Sequence, residues 1–325
     1  METNIYEVVG RMNALRKQSN GLGCGMALLF FVPIPFIFLL SMILPSDDGG
    51  ASRSLIIAGV FLVYMIIVVI GTTIAGRIQK NNQKELKRLY KETFMKGILE
   101  EYFEDVDYRW ETGISQYQFF DTGIFEEYKI SSYHSEDYLS GVYKGVSFKQ
   151  ADVEFTRRET TGDHPKDVTV FSGRLFEFDD SFKQVQSVKV VPEIEVRAEN
   201  RFQIERQDIV KMENMEFNKV FAVASASPQE AFYVLTPQVM ERLLDIHNRY
   251  KKSELDDGSR NNIEGLYRTI AFHFKQDKLY VVIDHMDSFD SNFLKEIDYP
   301  TEKEKIRKHI QVIIDVIEML KLINA

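Results

Sequence analysis

The chain has 325 residues, a formal net charge of −9 and a mean hydropathy of −0.22, which averaged over its length is the profile of an acidic soluble protein. The average hides a division: almost all continuous apolar sequence precedes Gly76, residues 1–53 sum to zero charge, residues 77–96 carry +5, and the remainder carries −14. A domain so acidic repels phosphate and excludes nucleic acid as a partner, and a single cysteine, Cys24, excludes an intrachain disulfide and any cysteine-based metal site.

Residues 1–21 form a polar N-terminal segment with Arg11, Arg16 and Lys17. Residues 22–44 contain no charged side chain and are dominated by Leu, Phe, Ile and Val. After the Pro-, Gly- and Ser-rich stretch 45–53, residues 54–76 are again uncharged, with thirteen Leu, Ile, Val or Phe residues. As helices, the two uncharged stretches are each roughly 35 Å long at 1.5 Å per residue, enough to cross a hydrocarbon core of about 30 Å. The sequence therefore predicts two transmembrane helices joined by a tight external turn, with Pro33 and Pro35 kinking the first. Lys and Arg flank both outer ends, whereas the connection holds Arg53 beside Asp47 and Asp48. The positive-inside rule then places both termini in the cytoplasm. The Gly21-Leu22-Gly23-Cys24-Gly25 run precedes an apolar helix and follows no strand, so it reads neither as a lipoprotein cleavage box nor as a phosphate loop.

Residues 77–107 read as a basic helical stalk. Leu86, Leu89, Tyr90, Phe94 and Ile98 give it an apolar stripe at helical spacing. Arg77, Lys80, Lys84, Lys87, Arg88 and Lys91 are candidates for contact with anionic lipid headgroups, and equally serve as topology signals.

Residues 108–325 read as an α+β domain, with strands first and then mixed helices and a hairpin. About 230 residues follow the stalk's first turns, enough to bury a sizeable core. Strand-like alternation runs through 141–148, 153–156, 168–178 and 185–196, where Pro192 predicts an edge or bulge. Residues 157–166 read as a polar hairpin tip, and 217–223 as a further strand. Ser227-Pro228-Gln229-Glu230 has the form of a helix cap, and Thr236-Pro237 restarts a helix that buries Val239, Leu243, Ile246, His247 and Tyr250. A charged loop spans 251–262. Residues 268–274 and 278–283 form an antiparallel hairpin. A last helix, capped by Thr301 and Glu304, carries Ile306, Ile310, Ile313, Ile317 and Leu320 toward the domain's own sheet.

Chemistry is sparsely signalled. His134, His164, His247, His273, His285 and His309 match no zinc-protease spacing and stand beside no nucleophile elbow. Asp284, His285, Asp287 and Asp290 form the densest oxygen-rich group, yet without the glycine and glutamate of an EF-hand loop; they read as a solvated acidic loop. No cofactor motif occurs.

The segments Asp137–Phe148, Phe171–Phe176, Glu216–Val223, Leu235–Leu244, Ile270–Phe274 and Leu279–Ile283, in that order after two apolar helices, resemble an uncharacterised family of bacterial membrane proteins, the domain of unknown function 3137 family. The chain departs from the family's pattern at Ser225–Ala231, where a charged pairing is replaced. The resemblance implies a bacterial inner membrane and brings no catalytic residues. The expectation is a membrane-anchored cytoplasmic interaction or signalling module that contacts the lipid bilayer and an unidentified protein. The alternative is a membrane-tethered enzyme with an unrecognised active site.

Overall fold

A computed structural model of the chain describes residues 5–31, 51–161, 164–179, 185–197, 201–250, 269–284 and 293–323. They divide into two compact units: Met1–Phe94 with Phe293–Tyr299, and Met95–Asn292 with Pro300–Ala325.

Among the described residues, the first unit is built on the helices α1 (Ile5–Phe31) and α2 (Ala51–Arg88). They run antiparallel, since Arg11 near the start of α1 reaches Glu85 near the end of α2 at 3.1 Å. The polar N-terminal segment is thus helical from Ile5 onward. Helix α2 passes into a π-helical turn, Leu89–Met95, and then into α3 (Lys96–Leu99). The predicted stripe is entirely buried, with Leu86, Leu89, Tyr90, Phe94 and Ile98 each no more than 8% exposed. Stripe residues every four positions drift around a helix of 3.6 residues per turn, and the wider π turn offsets that drift. It also carries Lys91 to the buried side. The segment 293–299, a turn that leads into α9, joins this unit. Asn13 clamps its backbone, donating through Nδ2 to the Ile297 carbonyl at 2.8 Å and accepting from the Ile297 N–H at 3.0 Å. Tyr6 and Phe94 meet the ring of Tyr299, and Tyr90 meets Phe293.

The second unit holds one sheet of nine strands, all paired antiparallel: β1 (Glu104–Arg109), β2 (Ile130–Tyr143), β3 (Val146–Thr161), β4 (His164–Asp179), β5 (Val185–Pro192), β6 (Ile209–Val210), β7 (Phe221–Ala224), β8 (Ile270–Gln276) and β9 (Lys278–Asp284), in spatial order β1-β2-β3-β4-β9-β8-β5-β7-β6. Its helices are α4 (Gln116–Asp121), α5 (Glu193–Arg197), α6 (Met215–Val220), α7 (Pro228–Val234), α8 (Pro237–Tyr250) and α9 (Tyr299–Ile323), whose first residue lies in the first unit. The α+β expectation holds for this unit.

Several local expectations are corrected. The alternation of 141–148 straddles a hairpin, because Lys144 and Gly145 both take positive φ (49° and 82°) and turn the chain between β2 and β3. The polar stretch 157–166 is largely strand. Cross-strand pairs such as Arg158 with Asp167, 3.2 Å apart, stabilise it without any apolar side chain. Residues 217–220 are helical, since the Asn214 side chain caps α6 by accepting from the Phe217 N–H at 3.0 Å. Pro192 ends β5, a strand paired on both sides, and the bulge lies instead between Val185 and Val188. Helix α9 begins at Tyr299, so Thr301 lies inside its first turn. The expected charged loop at 251–262 lies outside the described residues.

Alternation along β4 separates two faces. Phe171 and Leu175 join Phe119, Phe120, Phe125, Phe155 and Phe202 in an aromatic cluster, with Val282 and Ala271 beneath. Arg174, between them in sequence, points to the other face and reaches His309 of α9. There Ile306, Ile310, Ile313 and Ile317 of α9 are at most 1% exposed, and Val239, Leu243 and Ile246 of α8 are buried as well. The C-terminal helix therefore packs on its own sheet, and its end is tied by Lys144 to Glu318 at 2.6 Å. Close approach of β4 and β9 requires Gly173, where an added Cβ would lie 2.2 Å from the Ile283 carbonyl oxygen.

Candidate membrane anchor and a polar centre on the sheet

Helix α2 is the one helix among the described residues that is long and apolar enough to cross a membrane, with a mean hydropathy of 2.4 over its most apolar window and only 6% of that window buried. Phe61, Leu62, Val63, Ile66, Ile67, Val69, Ile70 and Ile74 are all 46–60% exposed. Together they form an exposed apolar surface along the helix, where the core helix of a soluble domain would bury such residues. Thr72 and Thr73 spend their hydroxyls on carbonyls of the preceding turn, at 2.8 Å and 2.6 Å, which leaves no free polar group on that stretch of helix. Of the first predicted span, 22–31 belong to α1; residues 32–44 lie outside the described residues, as does the turn 45–50.

The six basic candidates separate. Arg77, Lys80, Lys84 and Arg88 are exposed, Lys87 is half-buried, and Lys91 is 1% exposed. The π turn removes Lys91 from any surface contact. Arg88 is committed to Glu85, with Nε 2.9 Å from its carboxylate, and approaches Glu92 at 3.5 Å. That hydrogen bond, together with the charges of Arg88 and Arg11, holds the Glu85 carboxyl below its usual pKa. Sequence reasoning missed the Asn13 clamp, because an asparagine in a helix gives no sign of a partner 284 residues away.

On the sheet, a polar centre forms where β5 and β8 pair. Lys189 lies directly opposite His273, and the bulge in β5 brings Ser187 within reach. The His273 ring is 2.7 Å from the Thr122 carbonyl through Nδ1 and 2.8 Å from the Ser187 hydroxyl through Nε2. A carbonyl can only accept, so Nδ1 carries the proton and Nε2 accepts from Ser187. Lys189 donates to the Gln203 carbonyl and Lys275 to that of Asp121. Lys275 and the neutral His273 thus satisfy carbonyls at the end of α4, and Lys189 one in the 201–204 segment.

The Ser–His contact has the geometry of a nucleophile and its base, but its electrostatics oppose that use. Burial, with the charges of Lys189 and Lys275 against the Thr122 bond, pushes the His273 pKa down to about 3. A proton taken from Ser187 would create an imidazolium beside two ammonium groups. Burial and the neighbouring Lys275 likewise push Lys189 down to about 8. The cluster reads as a stitch that fastens the α4 segment over the aromatic cluster.

The acidic group at 284–290 is represented by Asp284 alone among the described residues. It is buried and accepts from Arg201 at 2.6 Å, so its charge is met by a guanidinium. Under α9, Arg174 is fully buried and binds Asp152 at 3.2 Å. No cluster of three His, Cys, Asp or Glu side chains suited to a metal occurs among the described residues.

No curated protein and no solved structure matches this chain. Residues 169–322, from β4 to the end of α9, match the model of the family described as Protein of unknown function (DUF3137). The match takes in five of the six motifs that carry the sequence resemblance and leaves out Asp137–Phe148. The segment running from β4 to α9 is thus similar to the DUF3137 family.

Proposed function

We propose that the protein is a membrane-anchored interaction or signalling module of a bacterial inner membrane, held by a two-helix hairpin at 22–44 and 54–76 with both termini and the α+β unit in the cytoplasm. The observation that carries this reading is the outward-facing apolar surface of α2 from Val60 to Ile78. Two features support the module over the enzyme. Among the described residues, the Ser187–His273 pair is electrostatically unsuited to nucleophilic use, and Lys189, Lys275 and Arg174 are bonded within the protein.

Topology is tested by thiol labelling in intact cells. In a Cys24→Ser background, Ser46→Cys should react with a membrane-impermeant reagent, and Ser253→Cys should react only after lysis. Labelling of Ser253→Cys from outside, with Ser46→Cys protected, would refute the orientation.

A further inference from the structure

The division of the basic residues assigns a narrower surface than the sequence suggested. We propose that a collar of Lys17, Arg77, Lys80 and Lys84 binds the headgroups of anionic phospholipids at the cytoplasmic face. The inference rests on the anchor reading and specifies the lipid that the anchor prefers.

Height along the helix decides membership. The uncharged stretch ends at Gly76. At 1.5 Å per residue, Arg77, Lys80 and Lys84 lie roughly 2, 6 and 12 Å beyond it, and Arg88 roughly 18 Å. The headgroup layer extends about 5–7 Å past the hydrocarbon core, and surface charge is screened over about 8 Å at physiological salt. Lys84 reaches back with its flexible stem; Arg88 is too distant and already bonded to Glu85 and Glu92. The contact of Arg11 with Glu85 fixes the antiparallel register of α1, so Lys17, six residues on, is level with Gln79. Lys17 is exposed.

Facing matters as much as height. Arg77, Lys80, Lys84 and Arg88 follow one another at intervals of three or four and share one side of α2. Leu86, about half a turn away, is buried. The apolar stripe of the stalk is therefore closed within the protein, and the side that carries these cations is left exposed. No acidic residue occurs from Val8 to Phe31 or from Ser54 to Lys84, so nothing on either helix neutralises the collar before Glu85. The clamped 293–299 segment contributes Lys295 and Glu296, which offset, and Asp298 farther up. It also presents Leu294, 76% exposed, whose carbonyl accepts from Arg16 at 3.3 Å. That places an apolar side chain at the height of the headgroups.

The full chain is reconstituted into phosphatidylcholine vesicles containing a minority of phosphatidylglycerol, and the fraction of each spin-labelled lipid immobilised by the protein is read by electron paramagnetic resonance. Labelled phosphatidylglycerol should be favoured about fivefold at low salt, the factor given by about 1 kcal/mol. The preference should fall toward one as salt rises, and also in a variant carrying Lys17→Gln, Arg77→Gln, Lys80→Gln and Lys84→Gln. It should persist in Lys87→Gln/Arg88→Gln. Equal immobilisation of the two lipids, or a preference that survives the fourfold variant, would overturn the collar. A chain that fails to float with the vesicles at all would overturn the anchor instead, a separate result.

Discussion

Replacing Phe119 by Ala strikes the centre of the aromatic cluster. The ring is fully buried, with centroids 5.2 Å from Phe120, 5.5 Å from Phe155, 5.6 Å from Phe125 and 5.8 Å from Phe171. Truncating a buried phenylalanine costs about 3–5 kcal/mol, including the cavity it leaves. The upper half of that range applies, because the neighbours are themselves rings on a paired sheet and cannot collapse inward. Trp110, the single tryptophan, gives a fluorescence signal for the unit that contains this cluster. With a urea slope of about 2 kcal/mol per molar, the midpoint for the chain in mild detergent should fall by about 2 M. Phe119→Leu, which keeps apolar volume but loses the edge-to-face contacts, should fall by well under half of that. A loss below about 0.5 M for Phe119→Ala would mean that α4 does not seal the sheet face, and the account of this core would be wrong.

The buried imidazole gives an acid limb. The His273 pKa is about 3 when folded against an ordinary value of 6.5, so its contribution is complete above pH 6.5 and is lost as pH falls toward 3, by up to about 5 kcal/mol. His273→Gln should flatten the urea midpoint across that window, and an unchanged profile would count against the burial of His273. Lys189, about 8 against 10.5, acts at the other end: stability should rise as pH increases from 8 to 10.5, and Lys189→Met should remove the rise. Gly173→Ala forces β4 from β9 and should cost about 4 kcal/mol or more, seen as loss of soluble, cooperatively folding protein. Asn13→Ala removes both bonds of the clamp and should cost about 1–2 kcal/mol locally, read as faster amide exchange at Ile297.

What the sequence disclosed and what it withheld follow from the range of the interactions. The apolar length of 54–76, the cap at Ser227 and the turn between β8 and β9 are local signals, and each appears where its chemistry requires. The helix 215–220 was hidden because apolar residues near Phe217 fit either period, and only the Asn214 cap decides between them. The long arms of β3 and β4 were hidden because they are polar on both sides and held by cross-strand pairs. Lys91 looked like its basic neighbours until the π turn rotated it inward, a change that no helical wheel of constant pitch contains. The polar centre was beyond reach altogether. His273, Ser187, Lys189 and Thr122 are up to 151 residues apart, and their meeting depends on strand order and on one bulge.

The anchor reading and the lipid collar both depend on α2 crossing a bilayer. Membranes from cells expressing the full chain are washed with alkaline carbonate, which strips peripheral proteins, and the pellet and supernatant are compared with those of a variant carrying Ile66→Lys, Ile67→Lys, Val69→Lys and Ile70→Lys. Charged residues at the centre of a span cost about 2.5–3.5 kcal/mol each on insertion scales. The natural chain should remain in the pellet and require detergent for release, while the variant should move to the supernatant or fail to accumulate. Release of the natural chain by carbonate alone would contradict the account.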